Sequence, residues 1–258
     1  MVTTQGHKSF TQDEVMTLGE TSRSGLKNPS EESKMKKLLL AATAVTALFA
    51  AGAASAEVSY NVALTSDYVF RGISQSDENV ALQGGIDWNK DLFYAGAWAS
   101  TVDFGGDADY ELDLYAGIKP TAGNFSFDFG VIYYAYPQED DLNATELKAA
   151  VSYPLGAGSV GAAYYTNTDD TFDTYYAEIN GAYPINDKFA VSGAFGTQEI
   201  ADAGSYNTWN LGGSYNITDV FSVDVRYHDT DFKRSDFLTS SAYNLTKERV
   251  AVTLKAAF

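Results

Sequence analysis

The sequence contains no cysteine, five prolines and two histidines. The missing thiol excludes disulfide frameworks, thiolate metal sites and cysteine nucleophiles. It fits a protein exported without oxidative folding. Base is scarce too: 17 Lys and Arg stand against 34 Asp and Glu, a formal net charge of −17. A nucleic-acid partner is excluded on that ground, because a phosphate backbone would be repelled. What the chain has in quantity is tyrosine (18), phenylalanine (15) and glycine (22). Strands rich in these residues are what a membrane barrel with interfacial aromatic girdles requires. The length of 258 residues suffices for one medium domain or one mid-sized barrel.

Residues 1–56 read as separate from the fold. Met35-Lys36-Lys37 opens a short basic region, Leu38 to Ala53 is an apolar run rich in Ala and Leu, and Ala54-Ser55-Ala56 offers an A-x-A cleavage site. This is the pattern of a secretory signal peptide over 35–56. The alternative, a membrane anchor, suits so short and small-residue-rich a run less well. Residues 1–34 are polar and precede the methionine at which such a peptide should begin. They are read as a misassigned start, or else as a disordered extension. The leader region carries six Lys/Arg and five Asp/Glu, so its removal leaves residues 57–258 at a formal −18.

From Val58 onward the hydrophobic period is two, not 3.6. In the last segment Val250, Val252, Leu254, Ala256 and Phe258 share one face, and Arg249, Ala251, Thr253, Lys255 and Ala257 the other. The Phe125/Phe127/Phe129/Val131 stripe opposes Ser126 and Asp128 in the same way. Twelve such segments can be counted, although Leu92–Ser100 and Val160–Thr166 are apolar or small on both faces and leave their inward side open. Five tight connections interleave with six longer acidic ones, Gly72–Asn79, Thr101–Asp109, Tyr136–Asn143, Asn167–Thr174, Gln198–Ser205 and Asp229–Tyr243. The expected fold is therefore all-β: a transmembrane, antiparallel, up-and-down β-barrel of about twelve strands over 57–258, with both termini on the short-turn side. No segment is left over for a plug domain. A soluble sandwich or lipocalin-like barrel is the alternative, but one interior would have to house every apolar stripe together with Asp113, Asp128, Glu178 and Asp224, at high desolvation cost.

On this parity the inward faces carry Asp87, Glu111, Asp113, Asp128, Glu146, Glu178 and Asp224 against Lys148, Arg226, Arg249 and Lys255. An open lumen so lined should prefer cations. The competing reading is a polar interior that neutralises itself and leaves no path. Parity also turns Asp67 and Arg71 inward, four apart on one strand, where they would pair with each other or across strands, either to shape selectivity or to tie a loop to the wall. How Tyr94, Trp98, Tyr115, Tyr134, Tyr165 and Tyr176 fill the interior stays open. The loop acids Asp103, Asp107, Asp109, Glu139, Asp140, Asp141, Asp169, Asp170 and Asp173 suit divalent cations bridging lipopolysaccharide, or are simply solvated. No EF-hand spacing is present, and no metal or other cofactor is expected. His228, with Ser222 or Ser214, is the one conceivable hydrolase pair, but no G-x-S-x-G motif accompanies it.

The stretch LTSDYVFRGISQS (Leu64–Ser76) resembles the opening motif of the TorF-type porin family, proteobacterial outer-membrane proteins. QGGIDW (Gln83–Trp88), FYAGAWAS (Phe93–Ser100), ELDLYAGI (Glu111–Ile118) and GVIYYAYP (Gly130–Pro137) look similar as well. The resemblance implies an outer-membrane barrel of a Gram-negative bacterium with a porin role, and brings neither an established substrate nor catalytic residues. The leading expectation is passive diffusion of small solutes. The alternatives are a closed structural or interaction barrel working through its acidic loops and, third, an outer-membrane hydrolase. Expected partners are outer-membrane lipid, lipopolysaccharide, small solutes and the barrel assembly machinery, for which Phe258, Leu254 and Val252 form the terminal signal. Export should leave a mature chain beginning at Glu57, read by intact-mass spectrometry of the outer-membrane fraction; a protein that retains residues 35–56 would contradict the signal-peptide reading.

Overall fold

The computed structural model describes residues 57–170 and 172–258. The leader reading, cleavage after Ala56 included, lies outside them. Twelve long strands follow one another: β1 (Glu57–Thr65), β2 (Ala81–Lys90), β3 (Phe93–Thr101), β4 (Tyr110–Ile118), β5 (Phe125–Ala135), β6 (Ala144–Leu155), β7 (Gly158–Asn167), β8 (Tyr175–Pro184), β9 (Phe189–Ile200), β10 (Gly204–Asn216), β11 (Phe221–Thr230) and β12 (Arg249–Ala257). Each pairs antiparallel with its chain neighbours. β1 also pairs with β12, from Asn61↔Ala257 to Thr65↔Thr253, so the sheet closes on itself. Period-two patterning makes these strands, and the prolines do not interrupt them: Pro154 and Pro184 sit at the ends of β6 and β8. The short connections are tight, as at Asp91-Leu92, where Asp91 takes a left-handed φ of 54°.

The barrel is inverted relative to a soluble protein. Leu211 and Ile179 are 66% and 65% exposed, while Glu111 and Glu146 are 2% and 6% exposed. Apolar side chains on the outside and carboxylates on the inside make sense only if the outer solvent is hydrocarbon. Exposed aromatics form two belts. Trp88, Phe93, Phe125, Tyr183, Tyr215, Phe221 and Phe258 ring the short-turn end; Tyr110, Tyr133, Tyr164 and Tyr227 ring the loop end. Rings with a polar edge favour the two membrane–water interfaces, so the belts mark the thickness that the strands cross. The parity left open on β3 and β7 is now settled: Tyr94, Trp98 and Ser100 face inward on β3, Tyr165 on β7, and Phe93, Val160 and Tyr164 outward.

Three expectations need correction. β1 ends at Thr65, so Asp67 and Arg71 do not share a strand; the first long connection runs from 66 to 80 and folds inward. That loop occupies the lumen, although no plug had been expected. The connection read as Gln198–Ser205 is only 201–203, because β9 and β10 pair out to Ile200↔Gly204. Their tips extend because Ala203 and Tyr206 are buried in an apolar cluster with Ile73, Phe232, Phe237 and Ala242. The last residue of that cluster lies on α1 (Ser240–Asn244), a single turn within the final loop. A second cluster, Val102, Phe104 and Ala108, packs against Tyr68, Tyr136 and Leu142. The loop end of the barrel is thus gathered over its mouth by apolar contacts.

The C-terminal residue closes the seam. Phe258 N–H donates to the Tyr60 carbonyl (2.9 Å), and Tyr60 N–H donates to the Phe258 carbonyl (3.0 Å). Deleting Phe258 removes both bonds and an exposed ring of the short-turn belt. The expected outcome is less folded barrel in the outer membrane, measured as the heat-modifiable band on unboiled gels; wild-type yield would argue against a role for this residue in closure or assembly.

Candidate functional site

The motif from Asp67 to Ser76 is a hairpin that crosses the lumen. Val69–Phe70 pairs with Ile73–Ser74. Arg71 and Gly72 form the two-residue turn with φ of +47° and +85°, the double left-handed geometry of a type I′ hairpin. Gly72 is required twice over: its φ disfavours L side chains, and an added Cβ would run into the side chains of Thr208 and Thr230. The hairpin leaves the wall at β1 and its tip meets β5 to β10 on the far side.

Its base is pinned by Asp67. One carboxylate oxygen accepts from Ser74 Oγ (2.6 Å) and Ser76 Oγ (3.1 Å), and the other from Arg249 Nη1 on β12 (2.7 Å). Tyr68 donates to Glu111 (2.9 Å), and its ring meets Trp98 edge-on at 5.4 Å. Burial, and then the Glu111 carboxylate, push the Tyr68 phenol well above its ordinary pKa, so it remains a donor. At the tip Arg71 makes a bidentate pair with Glu146 (2.7 and 2.8 Å) and donates to Gln198 Oε1 (3.0 Å). Burial opposes the Arg71 charge, but Glu146 outweighs it and holds the guanidinium above its usual pKa. The guanidinium carbon lies 4.6 Å from the Tyr176 ring centre, 5.2 Å from Tyr165 and 4.7 Å from Phe70. Tyr206 OH caps the Arg71 carbonyl at 3.1 Å. Asp67 and Arg71 therefore do not pair with each other; each ties a different end of the hairpin to a different wall.

The other inward charges fall into two groups. Lys148 pairs with Asp128 (2.8 Å) and Arg226 with Asp224 (3.0 Å). Asp87, Glu111, Asp113 and Glu178 have no basic partner within 4 Å among the described residues. Asp87 accepts from Tyr115 (2.6 Å), Glu111 from Tyr136 (2.5 Å) as well as Tyr68, and Glu178 from Tyr176 (3.0 Å) and Asn180 (2.9 Å). One Asp113 oxygen is buried with no hydrogen-bond partner. Lys255 lies exposed toward the short-turn mouth. Polar cavities remain in the lumen. One of about 320 Å³ lies toward the short turns, between Asp87, Tyr94, Tyr115, Lys119, Asp128 and Lys148. Another, of about 240 Å³, lies between Asp67, Tyr68, Trp98, Arg226 and His228.

The hydrolase constellation is not assembled. Ser214 lies opposite Asp224, four residues along β11 from His228, or roughly 13 Å at strand rise, and its hydroxyl donates to Asp224 at 2.7 Å. Several loop acids hold backbone amides instead of standing free: Asp103 accepts from Gly105 N–H, and Asp169 from Thr145 N–H. No cluster suited to a metal ion occurs among the described residues. Sequence reasoning did not single out Gln198, Ser74, Ser76 or Tyr136. Parity placed Tyr134 and Tyr176 inside but not around Arg71, and it left the side of Tyr165 open.

A family model described as bacterial protein of unknown function (Gcw_chp) matches residues 50–258. The chain belongs to the Gcw_chp family. No match to a curated protein was found. Among solved structures, the KdgM porin in complex with disordered oligogalacturonate is similar at a TM-score of 0.53 and 11% identity, covering 78% of this chain and 98% of that one. The NanC porin is similar at a TM-score of 0.51 and 10% identity, covering 78% and 99%. At such identities the likeness is one of fold: this Gcw_chp protein, a closed barrel of twelve strands, is similar in fold to those porins.

Asp67→Ala should destabilise the barrel by about 3 kcal/mol, because Arg249 would lose its buried carboxylate and keep only the exposed Glu78 at 3.6 Å. The expected readout is a lower temperature for the gel-mobility transition, with Asp67→Asn less affected; no shift for either variant would show that the hairpin base is not anchored by this pair.

Proposed function

We propose that this barrel is an outer-membrane, porin-like channel for passive diffusion of small solutes, with a preference for cations. The observation that carries the reading is the charge ledger of the lumen. Arg71, Lys148, Arg226 and Arg249 are each spent on a carboxylate, and among the described residues Asp87, Glu111, Asp113 and Glu178 are left without a basic partner. Charges of one sign in a narrow, low-dielectric passage concentrate counter-ions, the more so at low salt. The fold shared with KdgM and NanC supports a channel, and the inverted exposure supports insertion in lipid. The KdgM porin was captured with oligogalacturonate; a carboxylate-bearing cargo suits this acid-rich lumen poorly.

The finer parts of the reading rest on the sequence. The likeness of LTSDYVFRGISQS to TorF-type porins, export by residues 35–56, delivery through Val252, Leu254 and Phe258 to the assembly machinery, and contact of the acidic loops with lipopolysaccharide belong to this proposal. One observation favours a second reading. The hairpin spans the lumen and the loops gather over it, as in a closed barrel that works through its outer surface. Planar-bilayer conductance separates the two.

In a tenfold KCl gradient the reversal potential should have the sign of cation preference, and Glu111→Gln/Asp113→Asn should reduce it. Anion preference, or no change in the double variant, would remove the selectivity claim; no conductance from any variant, including one with the hairpin deleted, would favour the closed barrel.

A further inference from the structure

The far-wall pocket that receives Arg71 is built independently of it. Glu146 is held by Tyr134 OH (3.0 Å). Gln198 is oriented by its own amide, which donates to the carbonyls of Tyr175 (3.1 Å) and Glu199 (3.0 Å) and so aims Oε1 at the guanidinium. Tyr176 is tied to Glu178, and its ring lies against Gly196, where a Cβ would collide with it. Tyr165 stands beside Tyr176 with ring centres 6.2 Å apart. All five of these side chains belong to strands β5 to β9, and none to the hairpin. A carboxylate, an amide oxygen and two aromatic faces, fixed around one point, form the chemistry that recognises a planar or alkylated cation.

We propose that this pocket is a binding site for organic cations bearing a guanidinium or alkylammonium group, and that Arg71 is a tethered stand-in for such a solute. The solute displaces Arg71, the hairpin tip is released, and the lumen opens on the side it had blocked. The transport half rests on the channel reading; the binding half does not. Two features make the exchange feasible. The incoming cation replaces the contacts that Arg71 gives up, so the buried carboxylate is never left unpaired. Arg71 also holds a left-handed φ of +47°, which a residue other than glycine adopts at some cost, so release relieves strain at the turn. Asp67 and its bonds to Arg249 and the two serines remain as the hinge.

The test uses the purified full-length barrel and agmatine, which carries a guanidinium and an ammonium. Arg71→Gly removes the internal competitor while suiting the positive φ of the turn; Arg71→Lys keeps a cation in the pocket. Because a tethered group competes at an effective concentration in the millimolar range or above, agmatine should bind Arg71→Gly at least about tenfold more tightly by calorimetry than it binds wild type or Arg71→Lys. Adding Glu146→Gln to Arg71→Gly should abolish that gain. In bilayers wild type should conduct weakly until agmatine is added, and Arg71→Gly should conduct without it. Equal agmatine affinity in wild type and Arg71→Gly, or a gain that survives Glu146→Gln, overturns the site. Binding as expected with no conductance in any variant upholds the site and rejects the channel; conductance that ignores both agmatine and Arg71 rejects the gate.

Discussion

Every other feature follows from the need to satisfy the backbone within the chain itself. In hydrocarbon no water can pair an exposed N–H or C=O, so a sheet that enters a bilayer must close. Here closure is made by β1 and β12, with Tyr60 and Phe258 exchanging the last pair of bonds. Once the ring is closed, side-chain direction is no longer negotiable. Odd and even residues of each strand go to opposite solvents, lipid on one side and an enclosed polar space on the other.

That enclosed space sets the electrostatics. Carboxylates that would be solvated on a soluble sheet are confined with few bases, and Arg71, Lys148, Arg226 and Arg249 are each drawn into a pair. Three of the remaining carboxyl groups, Asp87, Glu111 and Glu178, are supported by tyrosine hydroxyls, which explains why so many tyrosines face inward in a membrane protein: Tyr68, Tyr115, Tyr136 and Tyr176 each donate to an acid. The Tyr115 and Tyr176 rings, lying against Gly96 and Gly196 on the wall, take up volume that a smaller residue would leave as water. The lumen is thus narrowed by the groups that make its acids tolerable.

The hairpin resolves a conflict between these demands. A loop folded into a low-dielectric interior must have its own polar groups matched, and the Asp67–Ser76 segment does this at both ends. Asp67 satisfies two serines and Arg249, while Arg71 satisfies Glu146 and Gln198. A buried ion pair of this kind is no strong source of stability; it does fix where the tip lands, since Glu146 waits there beside the Tyr165 and Tyr176 rings. The glycine at 72 then lets the turn fit against Thr208 and Thr230.

Much of this was legible without the fold. Alternation such as Val250/Val252/Leu254 against Arg249/Thr253/Lys255, together with the spacing of turns, is local information, and it determined the strand count, the lipid face and the inward parity of Glu111, Asp128, Glu146 and Arg226. The unusual motif around Arg71-Gly72 was visible as a motif, but not as a hairpin inside the barrel. Parity carried past Thr65 put Asp67 and Arg71 on a strand, because periodicity cannot register where a chain leaves the sheet. The meeting of Arg71 with Glu146 and Gln198, 75 and 127 residues away, depended on closure, which brings β1 opposite β6 and β9 across the lumen. Only the tertiary structure decided it, since the partners are chosen by distance across an enclosed space and not by position along a strand.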